Sequence, residues 1–252
     1  MDKTNNANDG FDNFLVNATK PKEKTIYTNK LDEDIKEKLY KLANKGYDII
    51  KPTLITKEVI KNAIENYKNE YQIYTDINME NCKEISLSFK NILKIDNLNN
   101  LIELETLRLD NNMIKKIENL TNLNKLKWLD LSFNNIKSIS GLNTLVNLTD
   151  LSLFNNEITE ISNFDSNNKL NILSIGNNKI SDSKKMVDYL KKLNNLQGLT
   201  VSGNPFVKEF DNPGLSNANQ TPSFPSSYEI ILANLEHLKY LDYRPIDPEE
   251  VS

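Results

Sequence analysis

The sequence predicts an α/β solenoid of about six 22-residue turns, with a short parallel sheet on one face and a helical cap at each end. Three observations point there. Apolar residues return in fixed columns every 22 positions, as Leu104, Leu126, Leu148 and Leu170 do. One asparagine recurs per turn, at Asn112, Asn134, Asn156 and Asn178. Between them, short L-x-L segments alternate as strands do, so that both leucines point to one side.

The columns fill out consistently. Leu107, Leu129, Leu151 and Leu173 are in phase, followed by Leu109, Leu131, Leu153 and Ile175. Ile114, Ile136, Ile158 and Ile180 come next, then Ile117, Ile139 and Ile161, then Leu120, Leu142 and Phe164. Backwards, Ile85, Leu87, Ile92, Ile95, Leu98 and Leu101 form a first turn, with Lys90 where the asparagine is expected. Forwards, after a spacing of 26, Leu196, Leu199, Val201 and Asn204 begin a sixth. This is the L-x-x-L-x-L-x-x-N-x-I signature of leucine-rich repeats. A single turn cannot bury its own apolar side, whereas stacked turns share a continuous core. The asparagine column, Asn204 included, has a structural task. Tight turns leave backbone groups pointing inward, and an amide side chain both donates to and accepts from them.

The ends must be covered. Thr56 to Tyr71 predicts a helix with Thr56 as N-cap and Ile55 and Ile60 as a hydrophobic staple. The expected organisation is a disordered tail over 1–28, an amphipathic helix within 29–50 and a helical N-terminal cap over 51–82. Repeats then occupy 83–206 and a helical C-terminal cap 207–252, interrupted by a flexible Asn/Ser/Pro/Gly insertion at 211–227. The apolar run Ile230, Ile231, Leu232, Leu235, Leu238 and Leu241 marks the C-terminal cap helix and its closing strand.

Little in the chain points to chemistry. Its 252 residues carry a net charge of −4, one histidine (His237) and one cysteine (Cys82). A net acidic balance argues against nucleic acid, which selects a basic face. One His and one Cys argue against zinc. No G-x-x-x-x-G-K-[ST] loop cradles a phosphate. No apolar run is long enough for a membrane span. The expectation is a protein-binding module without catalytic residues, cofactor, metal, membrane or small-molecule substrate. A single thiol also fits a reducing compartment.

A partner would meet the positions flanking each L-x-L, which face out on the concave, strand-lined side. One column reads Glu84, Thr106, Trp128, Asp150, Ile172, Gly198, and the next Ser86, Arg108, Asp130, Ser152, Ser174, Thr200. A third reads Ser88, Asp110, Ser132, Phe154, Gly176, Ser202, and a fourth Phe89, Asn111, Phe133, Asn155, Asn177, Gly203. The candidate binding residues are Arg108, Trp128, Asp130, Phe133, Asp150, Phe154 and Ile172. Strand alternation leaves Trp128 no core to enter, and exposed aromatics of this kind form interface anchors. For Phe133 and Phe154 a second reading stands beside that one: rings folded over their own turns as structural spines.

The non-leucine letters carry a resemblance. The stretch LDLSFNNIKSISGLNTLVNLTDLSLFNNEI, Leu129 to Ile158, resembles the leucine-rich-repeat subunit of the nexin–dynein regulatory complex of motile cilia. So do LSFKNILKIDNL from Leu87, LSIGNNKI from Leu173, LKYLDYRPI from Leu238 and the helix between Pro52 and Ile64. The resemblance spans about residues 52 to 246. It implies a structural and regulatory subunit of the cytoskeleton in the axoneme. Its expected partners are the coiled-coil subunits of that complex, axonemal dynein or microtubule-associated proteins. Two departures stand out: no heptad tail follows the repeats, and the 211–227 insertion is unusual. The alternative is a regulator that holds protein phosphatase 1 on its concave face, as a similar 22-residue-repeat subunit does.

Overall fold

The computed structural model describes residues 25–27, 48–50, 52–207 and 228–247. The chain divides into two units, Met1–Thr53 and Leu54–Ser252. In the first, β1 (Thr25–Tyr27) pairs in parallel with β2 (Asp48–Ile50). These strands correct two expectations at their ends, since 25–27 fall in the expected tail and 48–50 in the expected helix. Thr-Ile-Tyr and Asp-Ile-Ile are rich in β-branched and aromatic residues, which suit a pleated ribbon better than a coil or helix. The rest of the expected tail and helix, and the expected insertion at 211–227, lie outside the described residues.

The second unit opens with α1 (Lys57–Glu70), capped by Thr56, whose hydroxyl accepts from the Val59 N–H at 3.2 Å. Its apolar face buries Ile60, Ala63 and Ile64, together with Ile55 ahead of the cap. Val59 and Tyr67 are half-buried and Tyr71 is exposed, so the packed face is narrower than the spacing predicts.

Six three-residue strands follow: β3 (Glu84–Ser86), β4 (Thr106–Arg108), β5 (Trp128–Asp130), β6 (Asp150–Ser152), β7 (Ile172–Ser174) and β8 (Gly198–Thr200). Each pairs in parallel with the next, Thr106 against Trp128 and Trp128 against Asp150. The middle residue of every strand is buried, and its neighbours are half-buried or exposed except Thr200 of β8, which is buried. Backbone pairing continues past the strands, as in Leu109 N–H to Asp130 O and Leu131 N–H to Ser152 O, both 2.8 Å. On the opposite arm each turn winds tightly, Leu101 N–H donating to Leu98 O and Leu104 N–H to Leu101 O. The predicted columns from Ile85 to Leu199 form one continuous buried cluster.

The asparagine column is a ladder. Asn134 Oδ1 accepts from the Ile114 N–H at 2.9 Å, while Nδ2 donates to Leu109 O and Leu131 O at 3.0 Å. Asn112, Asn156, Asn178 and Asn204 repeat the pattern between their own turn and the one before. Asn112 Oδ1 reaches the Lys90 N–H as well, so the first turn is held from the second despite lacking its own asparagine.

A further asparagine column was not anticipated. Asn97, Asn119 and Asn163 adopt left-handed backbone with φ of 59°, 60° and 63°; Asn119 and Asn163 donate to the Ile95 and Ile139 carbonyls of the preceding turn, and Asn97 to the Ile55 carbonyl ahead of α1. Asparagine tolerates this conformation better than other side chains. Gly141 takes the same place with φ 68°, where a β-carbon would run into the Ile117 carbonyl oxygen. Gly141→Ala is expected to destabilise by about 1–3 kcal/mol. The measurement is a lowered urea midpoint at unchanged slope.

The wider spacing before β8 is filled by α2 (Ser183–Leu190), capped by Asp182 and burying Met186, Val187 and Leu190. At the far end, the expected cap helix is reduced to one turn, α3 (Glu229–Leu232). Leu238 N–H then donates to Leu235 O, and Tyr240 N–H to Gln197 O, as in the repeats. The C-terminal cap is therefore an abbreviated seventh turn, adding β9 (Tyr240–Leu241) in parallel to β8 and closing with antiparallel β10 (Arg244–Pro245). Asp242 ties it down, accepting from the Val201 and Ser202 N–H groups at 2.7 and 3.0 Å and from the Tyr228 hydroxyl.

Candidate functional site

The strand-lined face collects the candidate residues because the side-chain period of a strand is two and the repeat is 22. Arg108 stands opposite Asp130, and Trp128 opposite Asp150, which stands opposite Ile172. Trp128 is half-buried, and the Arg108 guanidinium lies over its ring, 5.1 Å from the centroid. That stacking is a cation–π contact worth about 0.5–1 kcal/mol when exposed, and it favours this orientation of the indole. Ile172 is 48% exposed, with Gly198 beneath it in the next turn.

The two phenylalanines are placed differently. Phe154 is half-buried and lies across Gly176, where an added β-carbon would meet its Cε2 at 2.9 Å. It is a spine over its neighbour, and Gly176 is glycine because the ring occupies that space. Phe133 instead projects. It is 45% exposed, and its ring meets the edge of Phe154 with centroids 5.7 Å apart. Phe133 also has φ 54°, a left-handed backbone that a bulky residue adopts at a cost.

The whole fourth column shares that conformation: Phe89, Asn111, Asn155 and Asn177 have φ between 51° and 56°, and Gly203 has 76°. Its Asn and Gly members were a readable signal for it. The two phenylalanines keep the backbone but leave their rings to solvent, Phe89 at 74% exposure.

The carboxylates are fixed by short hydrogen bonds. Asp130 Oδ1 accepts from the Ser132 N–H at 2.9 Å and hydroxyl at 2.5 Å. Asp150 accepts from the Thr149 hydroxyl at 2.6 Å. Asp110 accepts from the Ser88 hydroxyl at 2.5 Å and the Asn111 amide at 2.8 Å.

Charges off this face are handled differently. Lys125 pairs with Glu103 at 2.5 Å, Lys127 with Glu105 at 2.5 Å and Lys179 with Glu157 at 3.1 Å, each one turn apart. Hydrogen bonds from Lys127 and Lys83 hold the Glu105 carboxyl below the usual range. Burial raises Glu157, but Lys179, Asn135 and Lys137 together outweigh it and bring it down. Cys82 is fully buried, and its burial pushes the thiol up, away from a reactive thiolate.

Comparison with a family model agrees with this repeat. Residues 124–166 match the family model described as leucine rich repeats, two copies. The fold is a leucine-rich-repeat solenoid. Among solved structures, an internalin (inlF) from Listeria monocytogenes str. 4b F2365 is similar, with 25% identity and a TM-score of 0.48, over 63% of this chain and 40% of that one. The chain thus spans less than half the length of that internalin. Comparison with curated proteins gives no match. In this solenoid, then, Arg108, Trp128, Asp130, Asp150, Phe154 and Ile172 all lie on the strand-lined face, with Phe133 at the turn beside it. Asn112, Asn134, Asn156, Asn178 and Asn204 lie in the core, as backbone partners.

Proposed function

We propose that this solenoid is a non-catalytic protein-binding scaffold that serves as a structural and regulatory subunit of the axoneme, within the nexin–dynein regulatory complex. The scaffold reading is carried by one observation: Trp128, Phe133 and Ile172 stand outside a core that is already complete without them. An aromatic residue held in place yet uncovered is the form that interface anchors take. The axonemal setting is supported by the sequence resemblance around SFNNI and DLSLFNN.

Cross-linking mass spectrometry on isolated axonemes tests the setting. The expected result is cross-links from Lys83 and Lys127, beside the strand-lined face, to coiled-coil subunits of the complex. A tagged chain found diffuse in the cell with co-purified phosphatase overturns it. Once the partner is in hand, Trp128→Ala is expected to weaken binding by about 2 kcal/mol, roughly thirtyfold in Kd. Unchanged affinity on an intact fold removes Trp128 as the anchor.

A further inference from the structure

The strand-lined face carries a second pattern, which crosses the columns. Asp110, Asp130 and Asp150 lie 20 residues apart in a 22-residue repeat, so each steps back one outward-facing position as the sheet advances one strand. They form a diagonal from just beyond the end of β4, through the end of β5, to the start of β6. Strand spacing of about 4.8 Å and a two-residue advance of about 6.6 Å place neighbouring members about 8 Å apart. Arg108 and Trp128 lie on one side of this line, Phe133 and Phe154 on the other.

Among the described residues, none of the three carboxylates forms an ion pair with a lysine or arginine. Arg108 faces Asp130 in register, yet its guanidinium is turned onto the indole and makes no ion pair among the described residues. By contrast, Glu103, Glu105, Glu157, Glu160 and Asp165, off this face, each pair with a lysine. Arg108 is the sole Lys or Arg in the four outward columns from β3 to β8. A neutral partner covering the aromatic residues would strip water from three unpaired carboxylates, and a buried charge without a partner costs several kcal/mol. The covering surface must bring its own cations.

We propose that this face binds a basic segment of a partner protein, laid along the diagonal. Its Lys or Arg side chains meet Asp110, Asp130 and Asp150, and its apolar side chains meet the rings on either side. The proposal deepens the protein-binding reading above and rests on it.

The test is panning of a random peptide library on the full chain, followed by affinity measurement of a selected peptide. Variants are Trp128→Ala and the triple change Asp110→Asn, Asp130→Asn, Asp150→Asn, which keeps every side-chain shape. The expected peptides carry at least two Lys or Arg beside apolar residues. Their affinity falls tenfold or more in the triple variant, and falls again between 50 and 500 mM salt. Peptides lost on Trp128→Ala but indifferent to the triple change and to salt overturn the basic-segment proposal and leave the face a binding site. Peptides indifferent to both variants, or an empty selection, overturn both.

Discussion

Asn134→Ala is expected to destabilise the solenoid by about 3 kcal/mol, with the fold retained at low temperature. The figure follows from what each bond partner has left. The buried Ile114 N–H donates to Asn134 Oδ1 and has no other acceptor among the described residues. An orphaned buried donor costs about 1–3 kcal/mol. Leu109 O and Leu131 O fare better, because they also accept from Asn112 and Asn156. Ser132 O keeps the Asn111 N–H. Those three bonds are therefore weakened, and a net hydrogen bond is worth about 1 kcal/mol or less. Asn134→Asp keeps the acceptor for Ile114 and places a buried carboxylate against Leu109 O and Leu131 O, so it is expected to lose at least as much. Urea unfolding measures both. A loss under about 1 kcal/mol for the alanine variant would mean that water satisfies the turn and the ladder is dispensable.

The ladder was legible in the sequence because its physics is periodic. A residue that solves the same backbone problem in each turn returns at the repeat length, as Asn112 to Asn178 do. The buried columns were legible for the same reason, and so was α1, whose start is marked by Thr56 between Ile55 and Ile60. What was hidden breaks the period or lives in three dimensions. The second column, Asn97, Asn119 and Asn163, is interrupted by Gly141, so letter identity fails while backbone conformation persists. The four extra residues before β8 gave a length without a structure, although Asp182 is a readable N-cap for α2. The cap was expected as a helix because Leu235, Leu238 and Leu241 also suit helical spacing. In the structure they continue the repeat's own tight arm, and the two patterns coincide at three residues' spacing. The candidate site was legible column by column. Which ring projects was not, since it depends on the left-handed backbone at Phe133 and on the room that Gly176 leaves for Phe154.

Phe164→Ala is expected to cost about 3–5 kcal/mol, the range for an aromatic removed from a closed core. Phe164 is fully buried in the column that elsewhere holds Leu98, Leu120 and Leu142. The same turn carries a second irregularity: Asn167 stands where other turns have Leu101, Leu123 and Leu145, and it too is fully buried. Its Nδ2 donates to Leu142 O and Leu145 O, while its Oδ1 has no partner. Tyr189 of α2 closes over this place, its hydroxyl accepting from the Phe164 N–H at 2.8 Å. The larger ring, the smaller amide and the helix are thus one local adjustment to the widened turn. Its parts predict opposite signs. Removing the fully buried Phe164 ring opens a cavity, which stiff stacked turns cannot close. Asn167→Leu removes an orphan acceptor, and Leu142 O and Leu145 O keep the Leu145 and Leu148 N–H groups. That variant is expected to be neutral or stabilising by about 1 kcal/mol, since replacing a half-satisfied buried polar group by an apolar one of similar size removes a desolvation cost. Thermal or urea unfolding of the two variants side by side decides it. A stability loss on Asn167→Leu as large as that on Asn134→Ala would mean the amide's two donated bonds hold the turn, and that asparagine serves the same purpose at both buried positions.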